Sequence, residues 1–447
     1  MKRKGYKSFM LKNILYHSMV FRYFLIKNKF FYSDLLKRPY LSHDQIENYQ
    51  LTMIKRLINH AYNNCSYYYK RMEENGVVPS DINSLDDVLR LPILSRKDIF
   101  ENSEALVAKT AKKLRKQASS GTTRNEIIFY QEYDFFKKMY LYQLRSFMFA
   151  GIKPHEKGVW LWGGMKEIKH YDNPIEKFKW WLKNHILIDA TDLTDEKMRN
   201  IISYIMRQKP SYIVGYVNIL NRLAHFISEN NLKIPPLKAI ISTAEPLLDS
   251  VKETIKEAFH TSVYNDYGCR EAHHIGFTCS QGHMHILEDI NYIELVPLYN
   301  NIYKIIVTSL HNFGMPLIRY NLGDCVILDN SESRCDINFK IISNNIVRES
   351  NFIIVDEKKM VIPNEIINDL YNIKGIKDFQ MLQLNESEIL LNIVYNNLFK
   401  DDANIQLERI AKDIKNNFRM RKVSIHSMSE INKGPSGKTQ HVHSLMV

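Results

Sequence analysis

Between residues 158 and 243, short apolar runs recur beside amphipathic stretches, and this alternation constrains the fold more than any other feature of the chain. The runs are Gly158-Val159-Trp160-Leu161-Trp162, Tyr212-Ile213-Val214 and Leu237-Lys238-Ala239-Ile240-Ile241-Ser242. Strands alternating with helices imply mixed or parallel sheets covered by helices. Further on, Tyr292-Ile293-Glu294-Leu295-Val296 and Tyr303-Lys304-Ile305-Ile306-Val307 alternate in the manner of antiparallel strands.

At 447 residues the chain exceeds what one hydrophobic core usually supports, so at least two domains are expected. Before the alternating region, residues 41–102 read as helical, with Ile46, Tyr49, Ile54, Leu57, Ile58 and Ala61 at three- and four-residue spacing, yielding to turns around Pro79 and Pro92. Ser95 reads as an N-cap with Asp98 in the first turn. A change comes near residue 348. A hairpin with a charged turn at 356–359 is followed by a helix at 364–371, a strand at 389–394, a helix at 402–418 and a strand at 423–428, enough for a small α+β domain. The expected fold class is therefore mixed α/β and α+β. A basic helical segment (1–44) precedes a large domain of helix-flanked sheets (45–347) and a small, mobile C-terminal α+β domain (348–447).

Charge excludes one function class. The net charge is +12, but residues 1–40 alone carry ten Lys/Arg against Asp34; the 51 basic and 48 acidic residues that remain leave the body near neutral. Nucleic-acid binding thereby loses its electrostatic basis. The basic segment is interrupted by His17, Arg22 and Lys27 before any run reaches the ~18–20 apolar residues of a membrane span, and it shows no signal-peptide pattern. Its phenylalanines and lysines suit either ordinary helices packed on the body or contact with an anionic membrane surface. Five scattered cysteines argue against a disulfide framework and for a reducing, cytoplasmic setting.

Four segments carry candidate chemistry. Ser119, Ser120, Gly121, Thr122, Thr123 and Arg124 follow a basic run and can turn backbone N–H groups and hydroxyls toward a polyphosphate, although the Gly-Lys-Ser/Thr ending of a Walker A loop is absent. Ala244, Glu245 and Pro246 end an apolar strand. About twenty residues later, Tyr267, Gly268, Cys269, Arg270 and Glu271 offer a ring for a base and an acid for Mg²⁺. Asp324, after the glycine turn of Pro316-Leu317-Ile318-Arg319-Tyr320-Asn321-Leu322-Gly323, can accept hydrogen bonds from ribose hydroxyls. Near the C-terminus, Lys438 is flanked by glycines in Lys433-Gly434-Pro435-Ser436-Gly437-Lys438.

In this order, with a small domain after the third, the segments resemble the adenylate-forming superfamily. Within it they resemble the branch of phenylacetate-CoA ligases and CapK-type capsular-polysaccharide proteins. The branch's Ser/Thr-Ser-Gly-Thr/Ser-Thr-Gly-x-Pro loop is matched over residues 119–123, its Ala-Glu-Pro at 244–246, the CapK-type Tyr-Gly-x-Arg-Glu at 267–271, Pro-Leu-Ile-Arg-Tyr-x-x-Gly-Asp at 316–324, and Gly-Lys at 437–438. The likeness covers most of residues 45–447. Three departures stand out. Arg124 and Glu126 replace the loop's Gly and Pro, which bears on ATP turnover. Val347-Arg348-Glu349-Ser350 keeps the arginine of the family's Gly-Arg-x-Asp hinge and loses its carboxylate position. Many members also carry a Cys, a Gly-Leu-His and a Cys-x-Cys-Gly resembling a zinc site; here Cys279, His285 and Cys335 remain without the last cysteine, and three ligands argue against closed zinc binding.

The resemblance implies that a carboxylic acid attacks the α-phosphate of ATP, with CoA or another amine or hydroxyl nucleophile then accepting the acyl group. Lys438 would orient the carboxylate, Glu271 hold Mg²⁺, residues 119–123 cradle the phosphates and Tyr267 stack on adenine. Asp324 would hold the ribose, with Arg348 at the hinge. Trp160, Trp162 and Tyr216 are expected walls of the acyl pocket, and His273 and His274 are read as pocket-wall or supporting groups rather than metal ligands. Two other functions fit the same residues: transfer of AMP to a hydroxyl acceptor, and a degenerate membrane-surface binding protein without turnover.

Overall fold

The computed structural model describes residues 29–119, 127–328, 335–356, 359–395, 400–431 and 441–446. Most of the basic N-terminal segment lies outside these, which begin with helix Lys29–Lys37. Residues 41–102 are helices broken by turns, with a turn at Pro79 as expected. Helices His43–Asn64, Ser66–Glu74 and Arg96–Asn102 are separated by short 3₁₀ turns at Pro79–Asp81 and Asp86–Arg90, where proline and paired aspartates favour turns. Ser42 with Gln45, and Ser95 with Asp98, close reciprocal capping boxes that fix two of the helix starts. Ile54, Leu57, Ile58 and Ala61 face the core with no exposure, each large one contributing roughly 1.5–3 kcal/mol by burial.

Strands β1 (Leu114–Ala118) and β2 (Ile128–Glu132) pair antiparallel as a hairpin, in register from Leu114↔Glu132 to Ala118↔Ile128. The alternating region then builds five parallel strands: β3 (Gly158–Trp162), β4 (His185–Asp189), β5 (Tyr212–Tyr216), β6 (Ala239–Thr243) and β7 (Val263–Cys269). Helices such as Asp195–Gln208, Val217–Glu229 and Asp249–Phe259 connect them and bury Ile205, Leu220, Leu223 and Ile255 in one core with Val159 and Ile213. Such continuous burial of β3 and β5 is what a parallel sheet covered by helices requires. Strands β8 (His273–Thr278) and β9 (Met284–Ile286) continue the sheet antiparallel.

Strands β10 (Asn291–Tyr299), β11 (Ile302–Ser309) and β12 (Tyr320–Ile327) form a second, antiparallel sheet. The chain returns to the edge of the first sheet as β13 (Ile341–Ile342), completing eight strands, and to the second as β14 (Ile346–Arg348). Arg348, expected at a boundary, is thus the last residue of a strand paired to β12. Beyond it come the hairpin β15 (Ile353–Asp356) and β16 (Lys359–Val361), helix Asn364–Asn372, strands β17 (Ile376–Asn385) and β18 (Glu388–Tyr395), helix Lys400–Asn417, β19 (Lys422–Met428) and β20 (Val442–Ser444). The sheet order is β19-β18-β17-β20. Strand β17 was absent from the expected elements because Gln383 interrupts its apolar face. That buried amide accepts from Ile354 N (2.9 Å) and donates to Ile354 O (2.6 Å), fastening the hairpin to the sheet.

One buried ion pair ties the second sheet to the N-terminal helices. Arg319, left-handed at φ 52°, meets Glu294 with Nε and Nη2, its Nη2 at 2.7 Å, and donates from Nη1 to the carbonyl oxygens of Leu89 and Leu91. Removing the cation leaves Glu294 charged and buried, which typically costs ~3–5 kcal/mol, whereas replacing both partners by apolar groups is often near neutral. Urea titration of Arg319→Leu should therefore show a loss of that order, with the Glu294→Leu/Arg319→Leu double variant losing less. A double variant as unstable as the single one would remove the ion-pair argument.

Candidate active site

The base of the glycine-hydroxyl loop is clamped at both ends. Ser119 N donates to Ile127 O (3.0 Å), and the buried Ser119 hydroxyl accepts from Ile127 N (3.3 Å) and from Arg96 Nη2 (2.6 Å). Arg96 follows the N-cap Ser95, so the helix start places its guanidinium at the loop. Sequence reading passed over it, although Ser95 beside it was read as an N-cap. Ser120, Gly121, Thr122, Thr123, Arg124 and Glu126 lie outside the described residues, as do Gly437 and Lys438.

At the end of β6, Thr243 Oγ1 donates to Asp266 O (2.9 Å) and Ala244 turns the chain at φ 75°. Glu245 then accepts a hydrogen bond from Asn218 N (2.8 Å), at the start of helix Val217–Glu229, where the helix dipole favours a carboxylate. One carboxylate oxygen thereby positions the helix, and Pro246 directs the chain onward to helix Asp249–Phe259. Between Tyr267 and Gly268 the pairing with β8 shifts register. A Cβ on Gly268 would lie 2.0 Å from the His273 carbonyl oxygen, so only glycine fits this approach.

That bulge aims Tyr267 across to the second sheet. Its hydroxyl donates to Asp324 Oδ2 (2.9 Å); burial, and then the Asp324 charge, push its pKa well up, so it remains a donor. Asp324 Oδ1 meets Arg348 Nε at 3.0 Å, and Arg348 Nη1 donates to Leu322 O (3.2 Å). The turn before Asp324 is set by Gly323 at φ 72°, whose N–H meets Asn321 Oδ1 (2.9 Å). Asp324, with Glu271 next in strength after burial, raises the Arg348 pKa and keeps the guanidinium charged.

Glu271 is 7% exposed. Its backbone carbonyl, with that of Arg270, is held by Gln131 Nε2 (3.1 and 2.9 Å), while Arg270 Nη1 reaches Ala118 O (3.0 Å) beside the loop. Its carboxylate has no hydrogen-bond or ion-pair partner among the described residues, a donor state that fits a hard divalent cation such as Mg²⁺. Gln131, also missed in the sequence, therefore joins the β1–β2 hairpin to the acid. His273 Nε2 meets Gln131 Oε1 (3.3 Å) and His274 Nδ1 meets Asp266 Oδ1 (3.0 Å).

A cavity of about 750 Å³ opens beside Ala118 and Arg270. Trp160, Trp162, Tyr140 and Trp180 give it aromatic walls, and Lys183 Nζ sits 4.1 Å over the Tyr140 ring. The buried Trp162 indole N–H has no partner among the described residues. Tyr216, expected as a wall, stands behind Trp162 at 4.8 Å between ring centroids and does not line the cavity; it ends a strand buried on both faces.

Beside the three residues expected to lack a fourth ligand stands one further donor. His283 stands with Cys279, His285 and Cys335, one ligand atom of each within 4.8 Å of all the others. His283 lies in the β8–β9 turn, away from Cys335 in sequence, which is why it was passed over.

In sequence, the chain is 25% identical over 420 residues to protein CapK of Staphylococcus aureus, an alignment covering 91% of this chain and 90% of that protein. It is 24% identical over 304 residues to the phenylacetate-coenzyme A ligase of Pseudomonas putida, covering 63% of this chain and 66% of that one. No protein-family model matches. Among solved structures, 2-hydroxyisobutyryl-CoA ligase in its postadenylation state with 2-HIB-AMP superposes with a TM-score of 0.73 over 91% of each chain, at 18% identity. The same ligase in its thioesterification state, with CoA, superposes at 0.62. The fold is that of the adenylate-forming ligases, and the sequence relatives are CapK and phenylacetate-CoA ligases.

The glycine at the bulge gives a direct check on the geometry. Gly268→Ala should destabilise the chain by ~1–3 kcal/mol in chemical denaturation, the usual range for forced overpacking. An alanine variant as stable as the parent would mean that β7 and β8 approach less closely than described.

Proposed function

We propose that this chain activates a carboxylic acid as acyl-AMP at the expense of ATP and passes the acyl group to CoA or another nucleophile. The observation that supports this most is the convergence on Asp324. A carboxylate held by Tyr267 from one sheet and Arg348 from the other would hold a ribose that displaces or shares those contacts. Glu271 would hold Mg²⁺, which offsets phosphate charge. The loop that begins at Ser119 would cradle the outer phosphates and Tyr267 would face the base.

The acid would lie in the aromatic cavity, with its carboxylate toward Ala118 and Arg270. Attack of a carboxylate oxygen on the α-phosphorus forms the acyl-AMP bond as the bond to pyrophosphate breaks. The acceptor then attacks the acyl carbon and AMP leaves. Lys438, a compact cation near the end of the C-terminal region (348–447), is assigned to the first half-reaction, where it would orient the carboxylate and offset charge on the α-phosphate. Movement of that region as a separate domain would free the same site for the second half-reaction.

Pyrophosphate exchange into ATP across a panel of carboxylic acids should identify at least one substrate. Lys438→Ala should abolish that exchange while sparing acyl transfer from supplied acyl-AMP. Equal loss of both steps would refute the role of Lys438. A mass spectrum in which AMP is attached to a hydroxyl acceptor would replace acyl transfer by adenylyl transfer.

The finer reading places this chemistry beside an anionic membrane, in surface-polysaccharide assembly. Its supports are the likeness to CapK, the +9 charge of residues 1–40, and helix Pro174–Leu182, whose Ile175, Phe178 and Trp181 are exposed (64%, 53% and 39%) among Lys177 and Lys179. Apolar and aromatic groups flanked by lysines are suited to an anionic lipid interface. Among the described residues no helix is long and apolar enough to cross a membrane, so the contact would be peripheral. The full chain should float with phosphatidylglycerol vesicles and not with phosphatidylcholine vesicles, and Phe178→Ser/Trp181→Ser should weaken flotation. Equal behaviour with both lipids would discard the membrane reading.

A further inference from the structure

The aromatic cavity is unevenly charged, and one end of it holds a cation that the acyl-AMP chemistry does not use. Resting on the reading of this cavity as the acid's site, we propose that the substrate is a dianionic acid. One carboxylate, to be activated, lies near Ala118 and Arg270; a flat apolar middle lies between the aromatic walls; a second anionic group is received by Lys183.

Strand register sets the two ends apart. Leu161 of β3 pairs with Gly215, Gly215 with Ser242 and Ser242 with Asn265, so the C-terminal ends of β3, β5, β6 and β7 share one edge of the sheet. From that edge Ala244 and Tyr267 extend toward the nucleotide groups. Lys183 belongs to the opposite edge, because it precedes β4, whose His185 pairs with Gly158 and whose Asp189 pairs with Trp162. Four residues of strand, about 13 Å, separate the level of Trp162 from that of His185. An acid of one aromatic ring with an acidic arm at each end is of that order of length.

The lysine is held in place by its backbone. It follows helix Pro174–Leu182, its N–H donating to the carbonyl oxygens of Lys179 (3.3 Å) and Trp180 (3.1 Å), and the left-handed Asn184 (φ 60°) then turns the chain into β4. Trp180, on the same helix, meets Trp160 edge to face at 5.5 Å between ring centroids, which places ring surfaces along the path to Lys183.

The charges lining the cavity are four cations, Arg115, Lys116, Lys183 and Arg270, against one acid, Glu176. That acid is already engaged by Lys179 Nζ at 2.6 Å and His170 Nε2 at 3.8 Å. Arg270 reaches Ala118 O and Arg115 lies over the Phe136 ring. Lys183 Nζ, by contrast, meets the face of Tyr140 and has no hydrogen-bond or ion-pair partner among the described residues. The protein around it strips water from the ammonium and pushes its pKa down, against the pull of Glu176. His185 beside it is kept neutral by burial and then by the Lys183 charge. A ring face offsets part of the lost hydration; a carboxylate would offset more, through charge-assisted N–H···O bonds in a wall of low dielectric.

The test reads binding and turnover separately on the full chain. Three of the four tryptophans line the cavity, so quenching of their fluorescence reports occupancy. Para-phenylenediacetate should bind about tenfold or more tighter than para-methylphenylacetate, the scale of a hydrogen bond between charged groups. Lys183→Met should bring the two affinities together and Lys183→Arg should keep them apart, a split that a merely structural role for the lysine would not produce. Pyrophosphate exchange should rank the two acids in the same order. Equal affinities in the parent, binding of neither acid, or a preference that survives Lys183→Met would each overturn the anion site. If the preference is present and disappears in Lys183→Met while neither acid drives exchange, the acyl-AMP reading fails and the anion site stands.

Discussion

Asp324 is where the molecule's two large sheets are made to agree. One oxygen is held by the Tyr267 hydroxyl, at the end of the last parallel strand of the eight-stranded sheet; the other is held by Arg348, on the last strand of the antiparallel one. A carboxylate 6% exposed, with both oxygens engaged, cannot shift without leaving a buried charge poorly solvated. Its position therefore fixes the separation of β7, β12 and β14.

Other buried charges serve the same end at a distance. Arg319 ties Glu294 to the carbonyls of Leu89 and Leu91, while Arg145 makes a two-pronged contact with Asp289 at 2.6 and 3.0 Å. Desolvation of such pairs offsets much of their attraction, so their gain lies less in net stability than in uniqueness of arrangement, with several donors consumed at once. In this light, the arginine of Pro316-Leu317-Ile318-Arg319-Tyr320 is a fastening for the N-terminal helices, and Asp324, five residues later, is the group that meets Tyr267 and Arg348.

Much of the fold was legible in sequence because it rests on local periodicity. The β3, β5 and β6 runs, the Ser95 cap, the β10–β11 pairing and the hairpin, helices and outer strand of the C-terminal region all lie close to their expected positions. The failures share a cause. Strand β17 was hidden by Gln383, whose polarity is satisfied only by Ile354 and Ser444 from elsewhere in the chain. Tyr216 looked like a pocket wall because nothing in its own segment shows that Trp162 stands in front of it.

The sequence by itself determined the order of chemical groups: a hydroxyl-rich loop, a strand-end acid, an aspartate after a glycine turn, and a late lysine. It also determined the strand and helix periodicities that carry them. Only the tertiary structure decided which groups meet. Arg96 reaches Ser119 over 23 residues, Gln131 reaches the Glu271 carbonyl over 140, and His283 of the β8–β9 turn comes within 4.8 Å of Cys335. The physical reason is range. Propensity and capping act within a few residues and leave a pattern in the sequence, whereas a hydrogen bond or a ligand set between distant segments depends on chain reversals and strand order. No single segment encodes these.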